Sequence, residues 1–275
     1  MASDVLWIGN IIEAARHIRN FVQNHTNALT IYKEYTNLSL LKIADTRFAS
    51  SFMMLKKFGE VKTALGSIVI SEFWSFWRKT DQVASKRVKD IVLDDAWWEM
   101  VDLIIQIMDP IISLLGFADT DKPILGEVYE GWDSMIESVR STILQSEYPE
   151  YETSPEAFCD TIQDILVSRL DKNCTPLHCL AHSLNPKYYN HEWLNGGPSR
   201  KFPPHMDGDI SQGRKEAFRG VFQDRALLDE VEDAFAEFST GTGQFARYDV
   251  IRDRGLRSHI LGGQIMGQQA LLFSS

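Results

Sequence analysis

The chain has 275 residues, 44% of them hydrophobic and 24% charged, enough material for one large domain or two small ones, and it holds no low-complexity tract or fixed-period repeat. Lys and Arg number 28 against 38 Asp and Glu, a net charge of −10, so the molecule as a whole gains nothing from attraction to phosphate and any nucleic-acid contact needs a local basic patch. Cys159, Cys174 and Cys179 are too few for a disulfide scaffold and fit a reducing compartment; no secretory leader is expected from Met1-Ala2-Ser3-Asp4, and no membrane span, because charges interrupt each apolar stretch before roughly 18 residues.

Helical periodicity dominates the chain. Ile8, Ile11, Ile12, Ala15, Ile18 and Val22 form one apolar stripe, which predicts an amphipathic helix ending near His25. A polar stretch follows, then the short apolar run 38–43, and from Ser50 a second helix through Met54, Leu55 and Phe58. The segment Ile68–Trp77 carries Phe73, Trp74, Phe76 and Trp77, which suit buried packing better than a base-stacking platform, since only Arg78 and Lys79 adjoin them. Short basic runs such as Ser85–Lys89 and Arg214-Lys215 read as solvated helix faces.

Asp94 or Asp95 caps the next helix, whose core stripe is Val101, Ile104, Ile105, Met108, Ile112 and Leu115; Pro110 inside it predicts a kink or a split. A new element begins at Lys122-Pro123, with Tyr129, Trp132, Ile136 and Val139 at helical spacing. Ser154-Pro155-Glu156 is a helix start, and Phe158, Ile162, Ile165 and Leu166 are its apolar face. Pro, Gly and Asn from Asn185 to Gly213 predict a long loop or a set of turns, and a last helix follows from about Arg214 to Phe238. No set of alternating strands is visible, so the expected class is mainly α with little or no β-sheet.

Four stretches, in order, resemble the plant branch of the hAT (Activator-type) transposase family. Trp7 through His25 resembles the helix after that family's second catalytic aspartate and Cys-x-x-His motif. Asp45-Thr46-Arg47-Phe48-Ala49-Ser50 is close to its Thr-Arg-Trp-x-Ser signature. Trp97-Trp98 to Pro110, then Asp119 and Tyr129, resembles its helical insertion domain, and Pro176-Leu177-His178 through Leu184-Asn185-Pro186 its segment ending in Leu-Asn-Pro. The resemblance implies the helical insertion domain of an incomplete RNase H-like fold: residues 1–30 a remnant helix of the RNase H-like part, 31–213 the insertion domain, 214–254 a helical return segment, and 255–275 a tail without family character. For that tail we expect poor order and either a shifted reading frame or an unrelated exon after Arg254; the family's Trp-Trp…Gly pattern in another frame of the coding DNA would support the former.

Family chemistry uses two aspartates and a glutamate that hold divalent metal ions for phosphoryl transfer. The resemblance places the aspartates before residue 1 and the glutamate after residue 275, together with the zinc finger and dimerisation region. The chain is therefore expected not to be an enzyme and to need no cofactor. A nuclear location is implied by the resemblance. The partners expected are another protein chain, or a second copy, at an apolar face left open by the missing RNase H half, with weak DNA binding as the alternative.

Arg47 and Phe48 match the signature's Arg-Trp pair, which in the family is associated with distorted DNA at the transposon end. Phe48 would stack on a base and Arg47 engage phosphate, with Lys56, Lys57, Arg78 and Lys79 completing the face. The alternative pairs Arg47 with an acid and packs Phe48 in the core. Cys174, His178, Cys179 and His182 have a metal-like spacing, but His178 and His182 fall on one helix face and Cys179 on another, which favours packing over zinc. Asp119, Asp121, Glu127 and Glu130 form an acidic cluster expected to cap helices or face solvent, since no His or Lys accompanies them at a spacing suited to metal or acid–base work.

Overall fold

A computed structural model describes residues 6–38, 40, 48–72, 74, 81–146, 154–196 and 201–247, and among these every regular element is a helix. The helices are α1 (Leu6–Asn24), α2 (Thr26–Tyr35), α3 (Phe48–Ile70), α4 (Gln82–Val92), α5 (Asp95–Ala118), α6 (Val128–Gln145), α7 (Pro155–Asn173), α8 (Pro176–Ser183), the single turn α9 (His191–Leu194), α10 (Gly208–Val221) and α11 (Arg225–Thr240). The mainly α class read from periodicity holds. Arg47, Arg78, Lys79, the Phe48 side chain and the 255–275 tail lie outside the described residues.

The chain forms two compact units, one of residues 1–115 and 136–164 and the other of 116–135 and 165–275. In the first, α1 to α4 and the start of α5 enclose an apolar core. Ala15, Ile18 and Val22 of the predicted stripe are buried there beside Phe21, Leu55, Phe58 and Leu65. Each of these side chains larger than alanine, withdrawn from water, stabilises the fold by roughly 1.5–3 kcal/mol before conformational entropy is counted. Rings stitch the helices together. Phe21 and Trp74 lie 5.4 Å apart, and Phe58 of α3 meets Trp97 of α5 edge-on at 6.3 Å. Trp98 is buried and donates from Nε1 to the Val92 carbonyl at 2.9 Å, tying α5 to the end of α4. Trp74 is buried, as expected of a packing residue, and Phe73, Phe76 and Trp77 lie outside the described residues.

Several boundaries differ from the sequence expectation. The polar stretch after His25 contains α2, whose Ala28, Ile31 and Tyr32 are buried although Asn27, Thr30 and Lys33 lie beside them. Asp94 caps α5 as expected, accepting from the Ala96 N–H at 3.0 Å. Pro110 does not split α5, which runs on to Ala118. This helix is long and apolar enough, by length and composition alone, to cross a membrane, with a mean hydropathy of 1.7 over its most apolar stretch and 28% of that stretch buried. Asp102 and Asp109 interrupt it, and Asp109 pairs with Lys56 of α3 at 3.2 Å, while Trp97, Trp98, Val101 and Ile104 belong to the first unit's core.

In the second unit, α10 packs along α8, and Phe218, Val231, Phe235, Phe238 and Phe245 form a core of mostly aromatic side chains. Gly213 lets α10 approach closely: a Cβ there would stand 2.6 Å from Cys179 Sγ. The single helix expected from Arg214 to Phe238 is two helices. Asp224 starts the second, its carboxylate accepting from the Ala226 and Leu227 N–H groups at 2.8 and 3.0 Å. Gly241, in the left-handed region at φ 68°, ends it. The expected loop 185–213 resolves into short turns at Pro186–Tyr189, His191–Leu194 and Pro204–Met206, and its last residues are the first turns of α10.

Candidate functional site

Of the six residues expected to contact DNA, only Lys56 and Lys57 have described side chains, and both are engaged. Lys56 pairs with Asp109, and Lys57 with Glu60 at 2.6 Å. Both pairs are solvent-facing, where such contacts contribute little stability and leave the ammonium groups available.

The four candidate metal ligands do not converge. His178 turns back onto the residue before its helix, where Nδ1 accepts from the Thr175 backbone N–H at 3.1 Å and lies 2.9 Å from the Thr175 hydroxyl. His182 points away from it and donates from Nδ1 to the Gly126 carbonyl at 3.1 Å. Its ring stacks on Tyr188 at 4.0 Å and meets Tyr129 at a tilt, 5.3 Å away. Cys174 and Cys179 do meet: Cys174 is bound to Cys179 by a thiol hydrogen bond that lowers the acidity of Cys174 and raises that of Cys179. Among the described residues, no three His, Cys, Asp or Glu side chains are placed to hold a metal ion.

Around His182 lies a polar clamp within the second unit. His182 is 3% exposed, and burial holds its pKa down to about 4, against the pull of the Gly126 carbonyl, Glu130 and Asp207 and with the help of Lys187. Burial, with Glu130 and Glu127, pushes the Tyr188 phenol upward. Glu130 accepts from Lys201 Nζ at 2.8 Å and from Trp193 Nε1 at 3.3 Å, and Glu127 lies 3.8 Å from Lys187. This corrects the expectation that the acidic cluster caps helices or faces solvent. Asp119 and Asp121 are exposed, but the two glutamates find lysines 60 to 71 residues away in sequence. The clamp fixes the turn after Asn185, whose side chain accepts from the Lys187 N–H at 3.1 Å.

A feature that sequence reasoning missed sits between α10 and α11. A cavity of about 180 Å³ is lined by His205, Arg214, Phe218, Glu232, Phe235 and Ser239, together with Ala236. Arg214 is 8% exposed and places its guanidinium carbon 3.9 Å from the centre of the Phe235 ring. Its Nε and Nη1 are buried without an acceptor, as is His205 Nδ1. Burial presses the Arg214 guanidinium below its usual pKa while Tyr189 and Glu232 oppose that; burial and Arg214 both lower His205. The sequence signal was present: Ile210, Arg214, Ala217 and Phe218 share one buried face, so Arg214 occupies a core position. Starting the helix at Arg214 rather than Gly208 hid that register.

In comparisons with protein-family models, with curated proteins and with solved structures, nothing matches this chain.

Proposed function

We propose that this chain is a non-catalytic, transposase-derived helical module that binds another protein, and that it works in the nucleus as its family resemblance implies. The observation that supports this is the far half of the α5 stripe. Val101 and Ile104 are buried in the first unit's core, yet Met108, Ile111, Ile112 and Leu115 continue the same helical face and none is fully buried; Leu115 is 53% exposed. A row at i, i+3, i+4 and i+7 is the face on which an amphipathic helix docks. Asp102 and Asp109 on the same helix are exposed, and the chain carries a net charge of −10. Like charge opposes a second copy, so the occupant is a helix with apolar anchors flanked by Lys and Arg.

Fluorescence anisotropy with a synthetic Leu/Lys amphipathic helix tests the proposal, with a Leu/Glu helix as control. The Leu/Lys peptide is expected to bind saturably, and the double variant I112D/L115D to lose that binding. Equal binding of both peptides, or binding indifferent to the substitutions, would sink it, and a concentration-dependent dimer abolished by L115D would assign the stripe to self-association instead. A reading as a DNA-binding remnant through Arg47, Phe48, Lys56, Lys57, Arg78 and Lys79 rests on the signature resemblance. Tight, steeply salt-dependent binding of a DNA duplex that Arg47→Ala removes would establish it.

A further inference from the structure

A buried guanidinium cannot shed its charge, because arginine stays protonated under all ordinary conditions. Its lost hydration must be replaced by acceptors or by a counter-charge. Among the described residues no acceptor meets Arg214 Nε or Nη1, and the Phe235 ring face offers the guanidinium only a cation–π contact. Glu232 lines the same cavity and favours the guanidinium charge from a distance, yet no hydrogen bond from Arg214 Nε or Nη1 reaches it. The opening of about 180 Å³ is far larger than the roughly 10–15 Å³ that one water needs. Phe218 and Phe235 make part of its wall apolar, and His205 adds a second buried nitrogen without a partner.

We propose that this cavity is a binding site for a small monocarboxylate, whose carboxylate pairs with Arg214 and whose apolar body lies against Phe218 and Phe235. A planar carboxylate matches the guanidinium fork. Glu232 selects for low charge, since a phosphate dianion would meet its repulsion twice over. The site is independent of the α5 stripe and of any partner bound there.

Calorimetric titration of the full chain with benzoate is expected to show saturable one-to-one binding. Arg214→Lys keeps the charge without the planar fork and weakens binding about tenfold or more. Ala236→Phe fills the cavity from an exposed position of α11, leaves Arg214 in place and abolishes binding, so the outcome does not hinge on an Arg214 variant folding. Glu232→Gln removes the competing charge and tightens binding severalfold at unchanged Tm. No saturation with the wild-type chain, or full binding by Ala236→Phe, overturns the proposal. So does a lower Tm for Glu232→Gln without a gain in affinity, which would make Glu232 the internal partner of Arg214. Inorganic phosphate as a second probe is expected to bind more weakly than benzoate, and the reverse order would overturn the monocarboxylate assignment.

Discussion

A histidine buried to 3% exposure, with a carbonyl as its Nδ1 partner, folds in the neutral form. His182 therefore takes up a proton less readily when folded, at about 4, than when unfolded, at 6.5. The unfolded chain binds the extra proton between those values, so this group's contribution is complete above pH 6.5 and is lost as pH falls toward 4. The loss amounts to roughly 3 kcal/mol at most. Urea unfolding at a series of pH values, compared with His182→Gln, should show that limb in the wild-type chain and its absence in the variant; parallel curves would mean the ring is not buried as described. Its partner Gly126 lies 56 residues away in sequence, and no local pattern links the two. Arg214 is the opposite case. Its place on the apolar face was readable from spacing, but the missing acceptors were not, because they depend on what α11 brings across from it.

At the scale of elements, a helix start marked by proline was legible, and a break marked by a single capping side chain was not. Ser154-Pro155 behaves as a start, with the Ala157 N–H donating to the Ser154 hydroxyl at 3.3 Å. The break between α10 and α11 escaped because Phe222, Gln223 and Asp224 hold neither Gly nor Pro, and only the side-chain bonds of Asp224 mark it. Asp224→Ala is expected to cost about 1 kcal/mol in thermal or urea unfolding; an unchanged midpoint would show that packing, not the cap, sets this boundary. Gly213→Ala improves helix propensity yet forces a methyl into Cys179, with Sγ at 2.6 Å and Cβ at 2.8 Å. The clash outweighs the propensity gain, and a net loss of about 1–3 kcal/mol is expected. Stabilisation by this substitution would mean that α8 and α10 sit further apart than described.

For the whole molecule, a net charge of −10 acts against nucleic acid and in favour of basic partners. Random-sequence duplex at physiological salt is expected to remain unbound, while association of the Leu/Lys helix slows as salt screens the attraction over about 8 Å. The mainly α class, most helix faces and the function classes that charge disfavours were determined by the sequence alone, because apolar spacing, capping residues and net charge are local or additive properties. Tertiary structure decided which part of the α5 stripe is covered, that Glu130 serves Lys201 and Trp193 instead of solvent, that His178 and His182 turn to separate partners while Cys174 and Cys179 meet, and that Arg214 faces a cavity. Each of those outcomes depends on side chains tens of residues apart meeting or failing to meet, and spacing along one chain segment carries no record of what another segment brings to it.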